Sequence, residues 1–199
     1  MKCDAESKAE LRERLLVLRC QAGDESAFAE LHHRYSPRIR RYVVAFLGPD
    51  AAEDVLQEVW LTVFRRIREV TNPGGFRAWL FRTARHRAID SLRAERRRSR
   101  LAREALPEVV HSSTSSGELA GVDTESLTKA LATLSPDHRE VVQLRFFEDL
   151  TYADIASITA CALGTVRSRI HNAKARLREA LGEARLDLND DNEQGGSHD

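Results

Sequence analysis

The segment 151–170 holds residue types that could read DNA. Its pattern predicts two short helices joined by a tight turn, and the second helix carries basic and hydroxyl side chains. The two helices should touch at Ile155, Ala156, Val166 and Ile170. The second helix leaves a polar set largely outward: Arg167, Ser168, Arg169, His171 and Lys174. This layout is typical of a helix-turn-helix, whose second helix enters the major groove of DNA.

An upstream segment could bind unpaired nucleic acid. Residues 82–103 include nine arginines and only two acids, and such a stripe neutralises phosphates. The arginines that can line one helical face and its end are Arg82, Arg85, Arg93, Arg96, Arg97 and Arg100. Beside them stand Phe76, Trp79, Phe81 and His86. Arginine with aromatic rings is a combination that holds single-stranded bases by stacking. The alternative is a solvated basic face over an ordinary core that includes Trp79.

A third segment offers carboxylates. Over residues 50–67 apolar side chains recur at spacings of three and four, which predicts an amphipathic helix. Its polar face carries Glu53, Asp54, Gln57 and Glu58, with Leu61 at the edge. Acid–base catalysis would need burial to shift a carboxylate pKa, whereas these groups lie on the polar face. Two interpretations remain, a solvated face or a docking face for a basic partner protein.

The sequence does not favour an enzyme or a metalloprotein. It contains no Gly-rich phosphate loop, nucleophile elbow or His-Glu-x-x-His motif. The three cysteines are far apart, without a Cys-x-x-Cys pair, so neither a disulfide framework nor a zinc site is favoured. We expect no cofactor. No apolar run approaches the ~20 residues that span a bilayer, and the N-terminus lacks a signal-peptide core. We therefore expect a reduced, cytoplasmic protein without membrane insertion.

The elements that must position these groups are helical, because strand-like alternation is absent and Gly and Pro cluster between periodic segments. Helices are predicted over about 7–22, from Asp24 or Ser26 toward Tyr35 or beyond with a break or kink at Pro37, and over 38–46 and 50–67. Another is predicted over 76–98, with Trp79, Leu80, Thr83, Ala84, Ile89 and Leu92 on its inner side. A second helical domain begins near 123, and its last helix ends near 186. The predicted caps are Asp50, Ser135 before Pro136, and Thr151 with Asp154 as a capping box.

We predict an all-α protein of two small helical domains joined by a flexible linker. Its parts are an N-terminal helix (1–23), a first domain (24–99), an acidic linker (100–123), a second domain (124–186) and a disordered acidic tail (187–199). The net charge is zero, but the charge is strongly segmented. Each segment is therefore expected to have its own partner.

In this order the motifs resemble the extracytoplasmic-function sigma factors of the sigma-70 family, over nearly all of residues 10–182. Residues 24–31 with Tyr35 look like the opening of the sigma-2 domain, and 52–60 look like the polymerase-docking helix. Residues 76–93 are similar to the −10 recognition helix. Residues 134–142 and 164–170 look like the sigma-4 domain.

The resemblance implies a promoter-specificity subunit of RNA polymerase. Core polymerase would bind Asp54, Gln57, Glu58 and Leu61. The melted −10 element would bind Asn72, Phe76, Arg82, Arg85, His86, Arg93, Arg96 and Arg97. Duplex DNA at −35 would bind Thr165, Arg167, Ser168, Arg169, His171 and Lys174. The linker would follow the RNA path of the polymerase, and an anti-sigma factor is a further possible partner.

Three positions depart from the family's pattern. His86 stands where asparagine is frequent, Asn172 where arginine is frequent, and Ala162 where proline is common. The resemblance therefore does not fix which −10 base is captured, nor does it fix the −35 contact made at position 172. The competing function is a stand-alone helix-turn-helix regulator with a sensor or dimerisation module in its N-terminal half. A polymerase-docking face followed by an arginine-rich helix favours the sigma factor, since a sensor module needs neither.

Overall fold

The computed structural model describes residues 2–103 and 124–181, and every regular element in these two ranges is helical. The α-helices are α1 (Lys2–Gln21), α2 (Glu25–Leu47), α3 (Pro49–Arg66), α4 (Phe76–Arg103), α5 (Thr124–Ala132), α6 (Pro136–Val142), α7 (Tyr152–Thr159) and α8 (Leu163–Leu181). Short 3-10 turns cover Ile67–Glu69 and Pro73–Gly75, and a π-helical turn covers Gln143–Phe147. The predicted all-α fold is confirmed.

Helix α2 runs through Pro37 without a break, so of the two predicted outcomes, a break or a kink, the break is wrong. Proline removes one backbone hydrogen bond and crowds the preceding turn. Tertiary packing outweighs this local cost, because Tyr35, Ile39 and Tyr42 are fully buried on both sides of the proline. The predicted start is confirmed, since the Asp24 carboxylate accepts a hydrogen bond from the Ala27 backbone N–H.

The N-cap of helix α3 lies two residues before the predicted cap, Asp50. Gly48 is the N-cap and makes no side-chain hydrogen bond, and Pro49 occupies the first helical position, where its fixed φ suits a helix start. The predicted inner stripe is confirmed at Val55, Leu56, Val59, Trp60, Val63 and Ile67, which are buried. Phe64, which the same pattern placed on the stripe, is 66% exposed, so the prediction is wrong at that position.

The inner side predicted for helix α4 is confirmed only in part. Leu80 and Ala84 are buried as predicted, whereas Trp79, Thr83, Ile89 and Leu92 are only half-buried. Phe76, Phe81 and Ala88 are buried in addition, where α4 packs on α2 and α3. The helix also continues to Arg103, beyond the predicted end near residue 98. Arg96, Arg97, Arg98 and Arg100 are exposed along this part of the helix.

The second helical unit is built as its local signals predicted. The Ser135 hydroxyl accepts from the His138 N–H, with Pro136 at the first helical position. Thr151 and Asp154 form the capping box of α7. Ala160 adopts a left-handed conformation with φ of 54° and turns the chain into α8. The rest of the predicted linker (104–123), the predicted helix end near 186 and the acidic tail lie outside the described residues.

The two helical units pack against each other. Helix α7 lies on α4, and one hydrophobic cluster runs from Tyr42 and Phe81 to Leu144, Ile155 and Ile158. We call this arrangement the closed form. None of the helices in residues 2–103 and 124–181 combines the length and apolar composition required to cross a membrane.

Candidate nucleic-acid and protein-binding surfaces

The outer row of α8 presents polar groups that suit the DNA major groove. Val166, Ile170 and Ala173 are buried beneath it and fix its orientation. The side chains of Thr165, Arg167, Ser168 and His171 are exposed. They form the donor-rich edge that base and phosphate recognition needs.

Two predicted members of this row have partners inside the protein. The Arg169 guanidinium pairs with the Asp137 carboxylate at the start of α6. Lys174 is only 8% exposed, and its ammonium lies 5.9 Å from the centre of the Phe146 ring. Lys174 thus belongs to the inner side of α8 in the closed form rather than to the outer row.

Two arginines in the N-terminal half of helix α4 contact the second helical unit. Arg85 Nε donates to Glu140 Oε1 at 2.8 Å, and the Tyr42 hydroxyl donates to the same oxygen at 2.8 Å. Glu140 is only 5% exposed. Burial, reinforced by the Glu140 charge, raises the pKa of Tyr42, so this hydroxyl keeps its proton and acts as the donor. One turn earlier, Arg82 donates to the Ser157 hydroxyl at 3.2 Å.

The remaining candidates for −10 binding, on α4 and in the turn before it, are either buried or exposed. Phe76 is fully buried, with its ring against Tyr35, so it cannot stack on a base in the closed form. Phe81, which the sequence placed beside the arginine stripe, is also a core side chain. The exposed candidates are Asn72, His86, Arg93, Arg96 and Arg97. The carboxamide oxygen of Asn72 accepts from the Gly74 N–H and shapes the turn before α4.

A second polar contact joins the two helical units around Glu148. This carboxylate is completely buried, and Arg38 Nε donates to its Oε2 at 2.6 Å. Arg41 lies 3.8 Å from the other carboxylate oxygen, and Arg77 donates to the Glu148 carbonyl oxygen at 3.2 Å. Burial raises the pKa of Glu148, although the neighbouring arginines act in the opposite direction.

Sequence reasoning missed Glu140 and Glu148, although a signal for them exists. Glu140, Leu144 and Glu148 are spaced by four residues, and Leu144 between them is fully buried. Residues four apart share one face of a regular α-helix, so this spacing is a signal for a shared face. The signal is weak here, because Gln143–Phe147 is a π-helical turn and Glu148 lies beyond it.

The polar face of α3 is open to solvent as predicted. Asp54, Gln57, Glu58 and Leu61 are all exposed, and they lie opposite the buried stripe that holds α3 in the core. Glu58 approaches Arg87 of α4 only loosely, at 3.9 Å. This surface, called the acidic face below, is available to a basic partner. The described residues hold no cluster of three or more metal-ligating side chains.

Comparison with known proteins decides the family. The sigma-70 region 2 family model matches residues 31–98, and the sigma-70 region 4 model matches residues 124–177. The extracytoplasmic-function RNA polymerase sigma-E factor of Haemophilus influenzae is 31% identical, over 86% of this chain and 96% of that protein. The chain belongs to the extracytoplasmic-function sigma factors of the sigma-70 family.

Two further comparisons agree. The RNA polymerase sigma-H factor of Pseudomonas aeruginosa is 33% identical, over 83% of this sigma factor and 92% of the relative. The sigma factor RpoE of Bartonella quintana, solved in complex with the anti-sigma factor NepR, aligns with a TM-score of 0.62 at 27% identity, over 79% of this sigma factor and 98% of that chain. The protein is therefore a non-enzymatic transcription initiation factor that acts with core RNA polymerase at promoters.

Proposed function

We propose that three surfaces divide the work of this sigma factor. The acidic face of α3 binds basic helices of core RNA polymerase. The turn at Asn72 and helix α4, with Arg82, Arg85, His86, Arg93, Arg96 and Arg97, bind the melted −10 strand. Helix α8 reads the −35 duplex with Thr165, Arg167, Ser168, Arg169 and His171. The support for this assignment is exposure at most of these positions, whereas Arg82, Arg85 and Arg169 are half-buried and have partners inside the protein.

We also propose that the closed form must open before the −10 strand is captured. The observation that carries this proposal is the Arg85–Glu140 pair, which is nearly excluded from solvent. Arg85 uses only its Nε to donate to Glu140, but its side chain is just 18% exposed in the closed form, so a phosphate or a base has little room to reach the remaining N–H groups. Core polymerase would separate the two helical units, with residues 104–123 as the connection, and free both readers.

Regulation by an anti-sigma factor follows from the relatives. Bartonella quintana RpoE was solved with one, and we propose that this sigma factor also has an anti-sigma partner. We further propose that it acts in the cytoplasm, where the polymerase is.

The test of the proposed function is run-off transcription with purified core polymerase. The wild type should initiate at specific promoters. The variant Arg167→Ala should give less promoter-dependent product, whereas Arg34→Ala, which changes an exposed arginine of α2 outside these surfaces, should not. Absence of any specific transcript from a set of promoters on which the polymerase is active with another sigma factor would contradict the proposal.

The rival function, a stand-alone regulator, predicts tight binding of promoter duplex by the isolated chain. The sigma-factor function predicts weak binding instead, since Arg85 is occupied in the closed form and free duplex offers no unpaired strand without a cost of a few kcal/mol per flipped base. A gel-shift titration at physiological salt distinguishes the two. Nanomolar sequence-specific binding without polymerase would favour the regulator.

A further inference from the structure

Helix α1 exposes a row of leucines. Leu11, Leu15 and Leu18 are 66%, 56% and 50% exposed, and they are half of the large hydrophobic residues that are exposed among the described residues. Single exposed leucines are ordinary on protein surfaces, but a contiguous row on one helix marks an interaction site.

The row lies on the side of α1 that faces away from the protein. At 3.6 residues per turn, the three leucines fall within an arc of about 60°. Leu16, Val17 and Cys20, which are buried against the core, are centred about 180° away. A helix at the surface of a globular protein needs only one apolar face. The second face of α1 is therefore not required for the fold.

The spacing of the row suits a partner helix. The intervals from Leu11 to Leu15 and from Leu15 to Leu18 are four and three residues, the alternation that packs against another helix in a coiled-coil seam. We call these three residues the leucine seam. The seam precedes the region 2 match, which begins at residue 31.

The charges beside the seam specify the chemistry of that partner. One flank is basic throughout, with Lys8, Arg12 and Arg19, and the other carries Arg14 and Glu10. Lys8, Arg12 and Arg14 are exposed, whereas Arg19 already pairs with Asp24 at 2.7 Å. Acidic residues on a facing helix would complement these cations.

A second copy of this chain fits less well. Antiparallel pairing of two α1 helices would place the basic flank of one against the basic flank of the other. Parallel pairing would place Arg14 of each copy against the basic flank of the other. Like charges at these positions are destabilising. We propose that the leucine seam is a docking site for an amphipathic helix of another protein, one whose apolar row is flanked by glutamate or aspartate.

The proposal does not depend on the DNA contacts, and it can be tested on the full chain with two synthetic peptides. Both have leucines at the seam positions of a heptad; one has glutamates and the other lysines at the flanking positions. Fluorescence anisotropy should show that the glutamate peptide binds about tenfold more tightly than the lysine peptide. This preference should shrink when the salt is raised from about 0.05 M to about 0.5 M, because the flanking charges are exposed.

Three variants locate the binding. Leu15→Ser combined with Leu18→Ser should weaken binding of the glutamate peptide about tenfold, since two of the three apolar side chains that contact its leucines become polar. Arg12→Glu should reduce the preference for the glutamate peptide. Leu61→Ser is the matched control, because Leu61 has the same 50% exposure as Leu18 but lies on α3. Equal urea midpoints would show that all variants are folded.

Several results would overturn the proposal: equal binding of the two peptides, no binding of either, or the same loss in Leu61→Ser as in the double variant. The oligomeric state, measured by sedimentation, gives one more test. If the wild type is a dimer and the Leu15→Ser, Leu18→Ser variant is a monomer, the occupant of the seam is a second copy of this chain and the proposal is wrong.

Discussion

Arg85 of α4 donates to Glu140 of α6 across 2.8 Å, and this pair ties the proposed −10 reader to the unit that carries the recognition helix. The pair lies in an interface in which Tyr42 donates to the same carboxylate. Burial makes this contact sensitive to the loss of either partner, since an unpaired charge would remain in a poorly solvated site.

Glu140→Gln should open the closed form. The substitution removes the charge that holds Arg85, while the amide can still accept from Tyr42. Small-angle scattering should show a larger radius of gyration, and binding of a single-stranded −10 oligonucleotide should tighten by a factor on the order of ten, as the open population grows.

The matched control for this experiment is Glu53→Gln. Glu53 pairs with Arg40, but both side chains are more than half exposed, and such surface pairs contribute about 1 kcal/mol or less. An unchanged radius and unchanged oligonucleotide binding in Glu140→Gln would contradict the proposed role of the pair.

The closed interface could not be predicted from the sequence, although much of its framework could. The caps at Ser135 and Thr151 were predictable because they depend on side chains within three residues. The buried stripe of α3 was predictable from its period. Contacts such as Arg38–Glu148 join residues 110 positions apart, and single charged residues are ordinarily exposed.

Pro37 and Phe76 are two further positions at which the local sequence pattern did not predict the tertiary packing. A proline within a helical pattern predicts a break, but the burial of Tyr35 and Ile39 keeps α2 continuous. An aromatic ring beside arginines suggests base stacking, but Phe76 is a core residue. In both cases tertiary packing decides, and the local pattern contains no information on it. The exposure of Arg167 and Asp54 could be predicted, because each lies opposite an apolar stripe on its own helix.

Glu148 should make stability fall as pH rises. Burial raises its pKa above the ordinary 4.5, so the folded protein holds this proton more tightly than the unfolded chain. The resulting contribution is complete below about pH 4.5 and is lost as the pH passes through the folded pKa. In urea unfolding between about pH 4.5 and 7, the stability of the wild type relative to Glu148→Gln should therefore decrease. A relative stability that increases over this range would mean that Arg38 and Arg41 outweigh burial.

Arg167→Ala and Arg169→Ala should weaken −35 binding in different ways. Arg167 is exposed on the outer row, and loss of a base-edge contact costs about 1–3 kcal/mol and relaxes specificity at one position. Arg169 is paired with Asp137, so a phosphate contact is the simpler role. Its loss should weaken all sequences and lower the salt slope by about one. Holoenzyme titrations on single-base −35 variants at several salt concentrations separate the two. Unchanged promoter-dependent transcription in both variants would show that α8 is not the reader.

Charge reversal of the acidic face should release the polymerase. Asp54→Lys with Glu58→Lys changes two exposed side chains one turn apart, while Val55, Val59 and Val63 on the opposite side keep α3 in the core. The fold should therefore persist, but a basic partner helix would meet cations instead of carboxylates. Co-purification of core polymerase should fall strongly, and circular dichroism should be unchanged. The control is Glu25→Lys with Glu30→Lys, two exposed acids of α2 outside the acidic face. If the Asp54 and Glu58 double variant retains as much polymerase as this control, the docking surface lies elsewhere.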